Sequence, residues 1–97
     1  MHIELRRFDP AGATLQTAIT NAQGRTDAPL LSGEDMQVGS YELLFAVGEY
    51  FRAAGLALPE PAFLETVPVR FGIADRDASY HVPLLASPWS YAVYRGS

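Results

Sequence analysis

The residues of this 97-residue chain best suited to chemistry lie in two short runs, Tyr80-His81-Val82-Pro83-Leu84-Leu85 and Tyr94-Arg95-Gly96-Ser97. Each run belongs to or follows a strand-like stretch, and two neighbouring antiparallel strands would bring them to one spot. His81 can carry a proton near neutral pH, since an unperturbed imidazole titrates at about 6.5. Arg95 offers a planar fork of donors that grips a flat oxyanion at two points. Ser97 adds a hydroxyl and a terminal carboxylate, and Tyr94 a phenol. Such a set handles a flat, polar, anionic molecule. Chain ends are ordinarily frayed and tolerant of change, so chemistry-bearing residues concentrated there carry information.

Each residue has a plainer reading when taken alone. His81 is then a hydrogen-bonded strand histidine, Arg95 a solvated cation and Ser97 a frayed last residue. Arg25, which follows the turn glycine Gly24, is then an exposed loop charge. Tyr94 divides evenly between a donor at the site and a surface residue. Tyr80 alternates away from His81 and packs rather than reacts. Other clusters are weaker. His2 and His81 fall short of a metal-ligand set. Asp75 and Asp77 flank Arg76 in a solvated turn, and Glu34-Asp35 is equally plain. No Ser-His-Asp spacing, phosphate-cradling glycine loop or dinucleotide fingerprint is present.

The elements that must position these residues are mostly strands. Residues 3–8 alternate apolar and charged side chains, as a half-buried strand does. Asp9-Pro10-Ala11-Gly12 has turn chemistry, and residues 15–20 read as the returning strand of a hairpin. Asn21-Ala22-Gln23-Gly24 is a second turn, and Leu30-Leu31 a very short strand. Gly39-Ser40 opens the clearest strand, residues 41–47, with Tyr41, Leu43, Phe45 and Val47 on one face. Residues 49–54 are the one good helix candidate, with Gly55 as its stop. Residues 67–73 alternate again, placing Val67, Val69, Phe71 and Ile73 on one face. The last two strands are residues 80–86 and 90–95, and Pro83 marks the first of them as an edge or bulged strand. About seven strands, one short helix and frequent turns describe an all-β sandwich in a single domain, residues 1–97.

Composition narrows the function classes. Hydrophobic residues make up 48% of the chain, which suits a globular core. A formal net charge of −4 argues against a general binder of nucleic acid or membrane surfaces. All seven basic residues are arginine, so no lysine is available for Schiff-base chemistry. With no cysteine, thiolate catalysis, disulfides and cysteine-type zinc sites are all excluded. No apolar run reaches membrane-spanning length, and the first residues lack signal-peptide architecture. A soluble, cytoplasmic protein is the expectation.

Several blocks together resemble a known family. They are Asn21-Ala22-Gln23-Gly24-Arg25, Gly39-Ser40-Tyr41-Glu42-Leu43, Gly48-Glu49-Tyr50-Phe51, Tyr80-His81-Val82-Pro83-Leu84-Leu85, Ser87-Pro88 and Tyr94-Arg95-Gly96-Ser97. In order and approximate spacing the chain resembles the transthyretin-like proteins, specifically the 5-hydroxyisourate hydrolases. The terminal Tyr-Arg-Gly-Ser, which the hormone-carrying transthyretins lack, is the most discriminating block. The resemblance implies a transthyretin-like two-sheet β-sandwich with one short helix, assembled as a homotetramer (a dimer of dimers) with sites at the interface between dimers. It implies hydrolysis of 5-hydroxyisourate to 2-oxo-4-hydroxy-4-carboxy-5-ureidoimidazoline in urate catabolism, with no metal or organic cofactor. The catalytic residues it implies are His81, Arg25, Arg95 and Ser97, with Tyr94 and Gly96 binding substrate.

The family begins with a further strand bearing a Thr-His-Val-Leu-Asp type motif, whose histidine belongs to the catalytic set. This sequence opens at what corresponds to the second strand, and His2 does not match that motif. Trp89 and Ala92 also depart from the residues usual at their places. Two alternatives therefore stand beside the hydrolase: a truncated or impaired member of the family, and a binder of small aromatic ligands.

Overall fold

A computed structural model of the protein describes residues 1–8, 14–20, 37–77, 82 and 84–94. Within them lie six strands and one helix: β1 His2–Arg7, β2 Thr14–Ile19, β3 Gly39–Phe45, α1 Val47–Ala53, β4 Val67–Ile73, β5 Leu84–Ala86 and β6 Tyr91–Val93. The strands form two antiparallel sheets. One has four strands in the order β2-β1-β3-β4, the other pairs β5 with β6. The expected strand at Leu30-Leu31 and the turns at 9–12 and 21–24 lie outside the described residues.

Alternation in sequence becomes inside and outside in space. On β1, Ile3 and Leu5 are buried; on β3, Tyr41, Leu43 and Phe45 are; on β4, Val67 and Ile73. The registers Ile3↔Phe45, Leu5↔Leu43 and Phe45↔Val67 stack these residues into one layer. Val69, Phe71, Leu84 and Ala86 pack against it. The other face of the four-stranded sheet carries paired charges. Arg6 bridges to Glu4 at 3.1 Å and Arg70 to Glu42 at 3.1 Å. The Arg70 guanidinium also lies over the Phe8 ring, 4.1 Å from its centroid. β4 is an edge strand, which is why it tolerates Pro68: one side of an edge backbone needs no donor.

The helix starts two residues earlier than its pattern predicts and ends one residue earlier, at Ala53, with Ala54 as its C-cap and Gly55 just beyond. Ala46 occupies the N-cap without a side-chain hydrogen bond. The Gly48 N–H, one of the donors a first turn leaves open, is instead satisfied by the Glu65 carbonyl at 3.0 Å. At the other end Gly55 takes φ +93°. Its N–H donates to Arg52 O at 3.0 Å, and Leu56 N–H donates to Phe51 O at 3.1 Å. These two bonds close a Schellman motif, in which glycine bears the positive φ at no steric cost.

β5 and β6 make a hairpin with the register Leu84↔Val93, Leu85↔Ala92 and Ala86↔Tyr91. Both are shorter than the sequence predicts, within the described residues. Serine chemistry builds the turn between them. Ser87 N–H donates to Ser90 O at 2.8 Å, and Ser87 Oγ accepts from Ser90 N–H at 3.1 Å and Trp89 N–H at 3.3 Å.

Candidate active site

The β5–β6 hairpin is the platform for the residues singled out above. Val82, Leu84 and Ala86, every second residue, turn toward the core. Leu85 therefore turns away, and the register sets it beside Ala92. Leu85 is 62% exposed and Tyr94, one residue beyond β6, is 56% exposed. The open end of the hairpin is the Leu84–Val93 pair. His81 precedes it by three residues and Arg95 follows it by two. His81, Arg95, Gly96 and Ser97, together with Arg25, lie outside the described residues, so Tyr94 is the member of the expected set whose place is described. Its phenol is free to reach solvent beside the hairpin's open end.

Two polar clusters that the sequence reading missed are built around buried or half-buried side chains. The first is at the entrance to β3. The Tyr41 ring is fully buried and stacked on Phe71, 5.8 Å between centroids. Its hydroxyl donates to Gln37 O at 2.7 Å and accepts from Gln37 N–H and from Arg7 Nη1, each at 3.3 Å. One donated and two accepted bonds use the full capacity of a phenol. Arg7 Nη2 also donates to Val38 O at 3.3 Å, and its guanidinium faces the Tyr41 ring at 5.3 Å. A tyrosine in a run of inward-facing residues was the available signal, because a buried phenol needs a partner.

The second cluster joins α1 to the segment that follows it. Arg52 makes a two-point ion pair with Glu65, through Nη1 at 3.1 Å and through Nη2. Arg52 Nη2 also donates to Pro59 O at 2.9 Å, and Nε lies 3.4 Å from a Glu60 carboxylate oxygen. Glu65 Oε1 accepts from Ala62 N–H at 2.6 Å. The hydrogen bond from Arg52, seconded by that from Ala62, lowers the Glu65 carboxyl below its ordinary value. The same bond raises the Arg52 guanidinium. The cluster leaves Gly48 no room for a side chain: a Cβ there would stand 2.9 Å from the Glu65 carboxyl carbon and 3.1 Å from Glu65 Cα. The cluster ties the helix to the chain that leads into β4.

Among the described residues no helix is long and apolar enough to cross a membrane, and no three His, Cys, Asp or Glu residues gather as metal ligands.

A strand order of β2-β1-β3-β4 facing a terminal hairpin, with a short helix between β3 and β4, defines a two-sheet sandwich of transthyretin type. The chain belongs to the HIUase/Transthyretin family, whose model matches residues 1–96. It is 64% identical over 83 residues to the 5-hydroxyisourate hydrolase of Ralstonia nicotianae, an alignment covering 86% of this chain and 71% of that protein. A solved 5-hydroxyisourate hydrolase of Klebsiella pneumoniae superposes with a TM-score of 0.76 at 30% identity, over 99% of this chain and 81% of that one. A solved (S)-allantoin synthase superposes with a TM-score of 0.92 at 44% identity. There all of this chain is covered but only 37% of the other.

Proposed function

We propose that this chain is a 5-hydroxyisourate hydrolase: it opens the substrate's cyclic amide with water. The observation that carries the reading is the match to curated hydrolases of that name along nearly the whole chain. The β5–β6 hairpin supports it by pairing Leu84, three residues after His81 in sequence, with Val93, two residues before Arg95. In the proposed site, within one domain spanning residues 1–97, His81 takes a proton from the attacking water. The water oxygen bonds to the carbonyl carbon, the carbon–nitrogen bond breaks, and the proton passes to the departing nitrogen. Arg25 and Arg95 hold the planar substrate and the oxygen on which charge develops, where preorganised donors lower the barrier most. Ser97 donates through its hydroxyl, and Tyr94 and Gly96 border the bound ring.

The proposed assembly is a homotetramer, a dimer of dimers, working in the cytoplasm. The exposure of Leu85 and Tyr94, the former on the hairpin face turned away from the core, supports association through this part of the molecule.

The test follows the ultraviolet decay of freshly generated 5-hydroxyisourate with and without the purified protein. Acceleration that saturates with substrate is the expected result. No acceleration by a sample shown to be folded refutes hydrolase activity in this chain and favours the truncated or impaired member or the ligand-binding alternative.

A further inference from the structure

We infer that the Arg52–Glu65 ion pair controls the order of the β5–β6 hairpin, acting through the ring contact between Phe63 and Trp89. The coupling lies within the fold and stands whether or not the hydrolase reading holds.

The hairpin is an element that needs support. Among the described residues its ladder is three residue pairs long and forms a two-stranded sheet, and a two-stranded hairpin is marginal by itself in water. Val82, Leu84 and Ala86 anchor it to the core. Its turn lies beyond those anchors and is closed locally, by bonds between Ser87 and Ser90. There Trp89 is 61% exposed, and its ring meets that of Phe63 with 6.0 Å between centroids and 47° between planes. Aromatic rings at such a separation attract beyond their shared burial.

Phe63 can brace the turn because the chain on either side of it is pinned. Ala62 is buried, and its N–H donates to Glu65 Oε1 at 2.6 Å. Leu64 packs against the core. Arg52 holds Glu65 at two points and Pro59 O at 2.9 Å, so residues 59–65 form a strap clasped to α1. The Phe63 side chain, 71% exposed, projects from that strap to the hairpin turn. Removing the Arg52 guanidinium takes away those three bonds but leaves the one from Gly48 N–H to Glu65 O. The strap is then loosened rather than detached. Local opening of the hairpin breaks the ring pair, and so does lifting of the strap. Two locally opening units that share one contact are coupled through it.

The experiment is amide hydrogen exchange on the intact protein for wild type, Phe63→Ala, Arg52→Gln and the pair. In wild type the amides of β5, β6 and Ser87 should exchange faster than those of β3, as local opening requires. Phe63→Ala should speed the hairpin amides about 2- to 10-fold, the worth of an aromatic pair. Arg52→Gln should speed them about three-fold, part of the same contact. In the Phe63→Ala background Arg52→Gln should add less than about 1.5-fold, because the contact through which it acts is already gone. Trp89 is the only tryptophan in the sequence, so acrylamide quenching of its emission reads the contact directly and should rise in both single variants. Glu65→Gln releases the same clasp from its other side and replaces Arg52→Gln should that variant misfold. Equal acceleration by Arg52→Gln in both backgrounds, or unchanged hairpin exchange or Trp89 quenching in a folded Arg52→Gln protein, overturns the coupling. Hairpin amides protected as strongly as those of β3, or unmoved by Phe63→Ala, overturn it too.

Discussion

Gly48→Ala isolates the fit between α1 and the segment that returns to β4. Considered locally, the change should stabilise: alanine in a helix is better than glycine by about 1 kcal/mol. The structure predicts the opposite sign. The new methyl would stand 2.9 Å from the Glu65 carboxyl carbon and 3.1 Å from Glu65 Cα, both inside ordinary contact distance. The carboxylate cannot swing away cheaply, since Arg52 and the Ala62 N–H hold it. The backbone cannot retreat without stretching the Gly48 N–H to Glu65 O bond of 3.0 Å. Overpacking of this kind costs about 1–3 kcal/mol. Set against the propensity gain, the net loss is up to about 2 kcal/mol, or a fall in melting temperature of up to about 8–16 °C for a chain of this length. Thermal melts followed by circular dichroism, with urea titrations alongside, measure it. The decisive comparison is Gly48→Ala in a Glu65→Ala background, where the contact with the carboxyl is gone and only the 3.1 Å approach to the residue 65 Cα remains, so the loss should be clearly smaller than in the otherwise wild-type protein. Gly48→Ala that stabilises the otherwise wild-type protein, or that destabilises both backgrounds equally, would refute the steric argument.

Further outcomes follow, two from the same structure and two from the proposed site. The Glu65 carboxyl is lowered by its bonds from Arg52 and Ala62, so its stabilisation is complete above the ordinary carboxyl value near 4.5 and drains away as pH falls through the lower folded value. The melting temperature of Glu65→Gln should accordingly fall less than that of wild type on acidification below that value; parallel pH profiles would contradict it. Leu5→Ala removes a side chain 1% exposed at the centre of the sheet and should cost about 2–5 kcal/mol in urea unfolding; a loss under 1 kcal/mol would mean the core collapses into the space. His81→Ala should reduce kcat far more than it lowers the melting temperature, and Arg95→Lys should also lose most turnover because a point charge does not replace a fork; near-normal rates in either remove that residue from the proposed site.

The parts of the fold legible in the sequence were those governed by neighbours in the chain. The alternation at 67–73 gave β4 to the residue, and Gly55 marked the helix end because a positive φ there is a local demand. The helix start was misplaced by two residues for a non-local reason: Ala46 is a poor cap, and the missing partner for Gly48 arrives from Glu65, far along the chain. The same distance hid the Arg52–Glu65 pair, whose two charges look solvated when each is read in its own segment. Tyr41 was recognised as an inward-facing residue but its hydroxyl was passed over. Of the candidate site, the hairpin that leads to it was legible from its apolar alternation and its Ser87-Pro88 turn, and Tyr94 lies at its edge. The roles of His81, Arg25, Arg95, Gly96 and Ser97 rest on the family's motifs, since those positions are outside the described residues.

β3 and β4 are antiparallel neighbours, and such neighbours can be joined by a turn of about two residues. Here 21 residues, 46–66, make the journey. The hydrogen-bonded ladder from Gly39↔Ile73 to Phe45↔Val67 does not require them. What they contribute is a plug: Val47 fully buried, with Phe51 and Leu64 packed beside it, at the end of the core. For protein engineering this makes the excursion an exchangeable end-piece. A graft that supplies three apolar side chains at those places can differ in length and outward sequence without disturbing strand order, whereas a bare hairpin turn would preserve the ladder and leave the core open at one end.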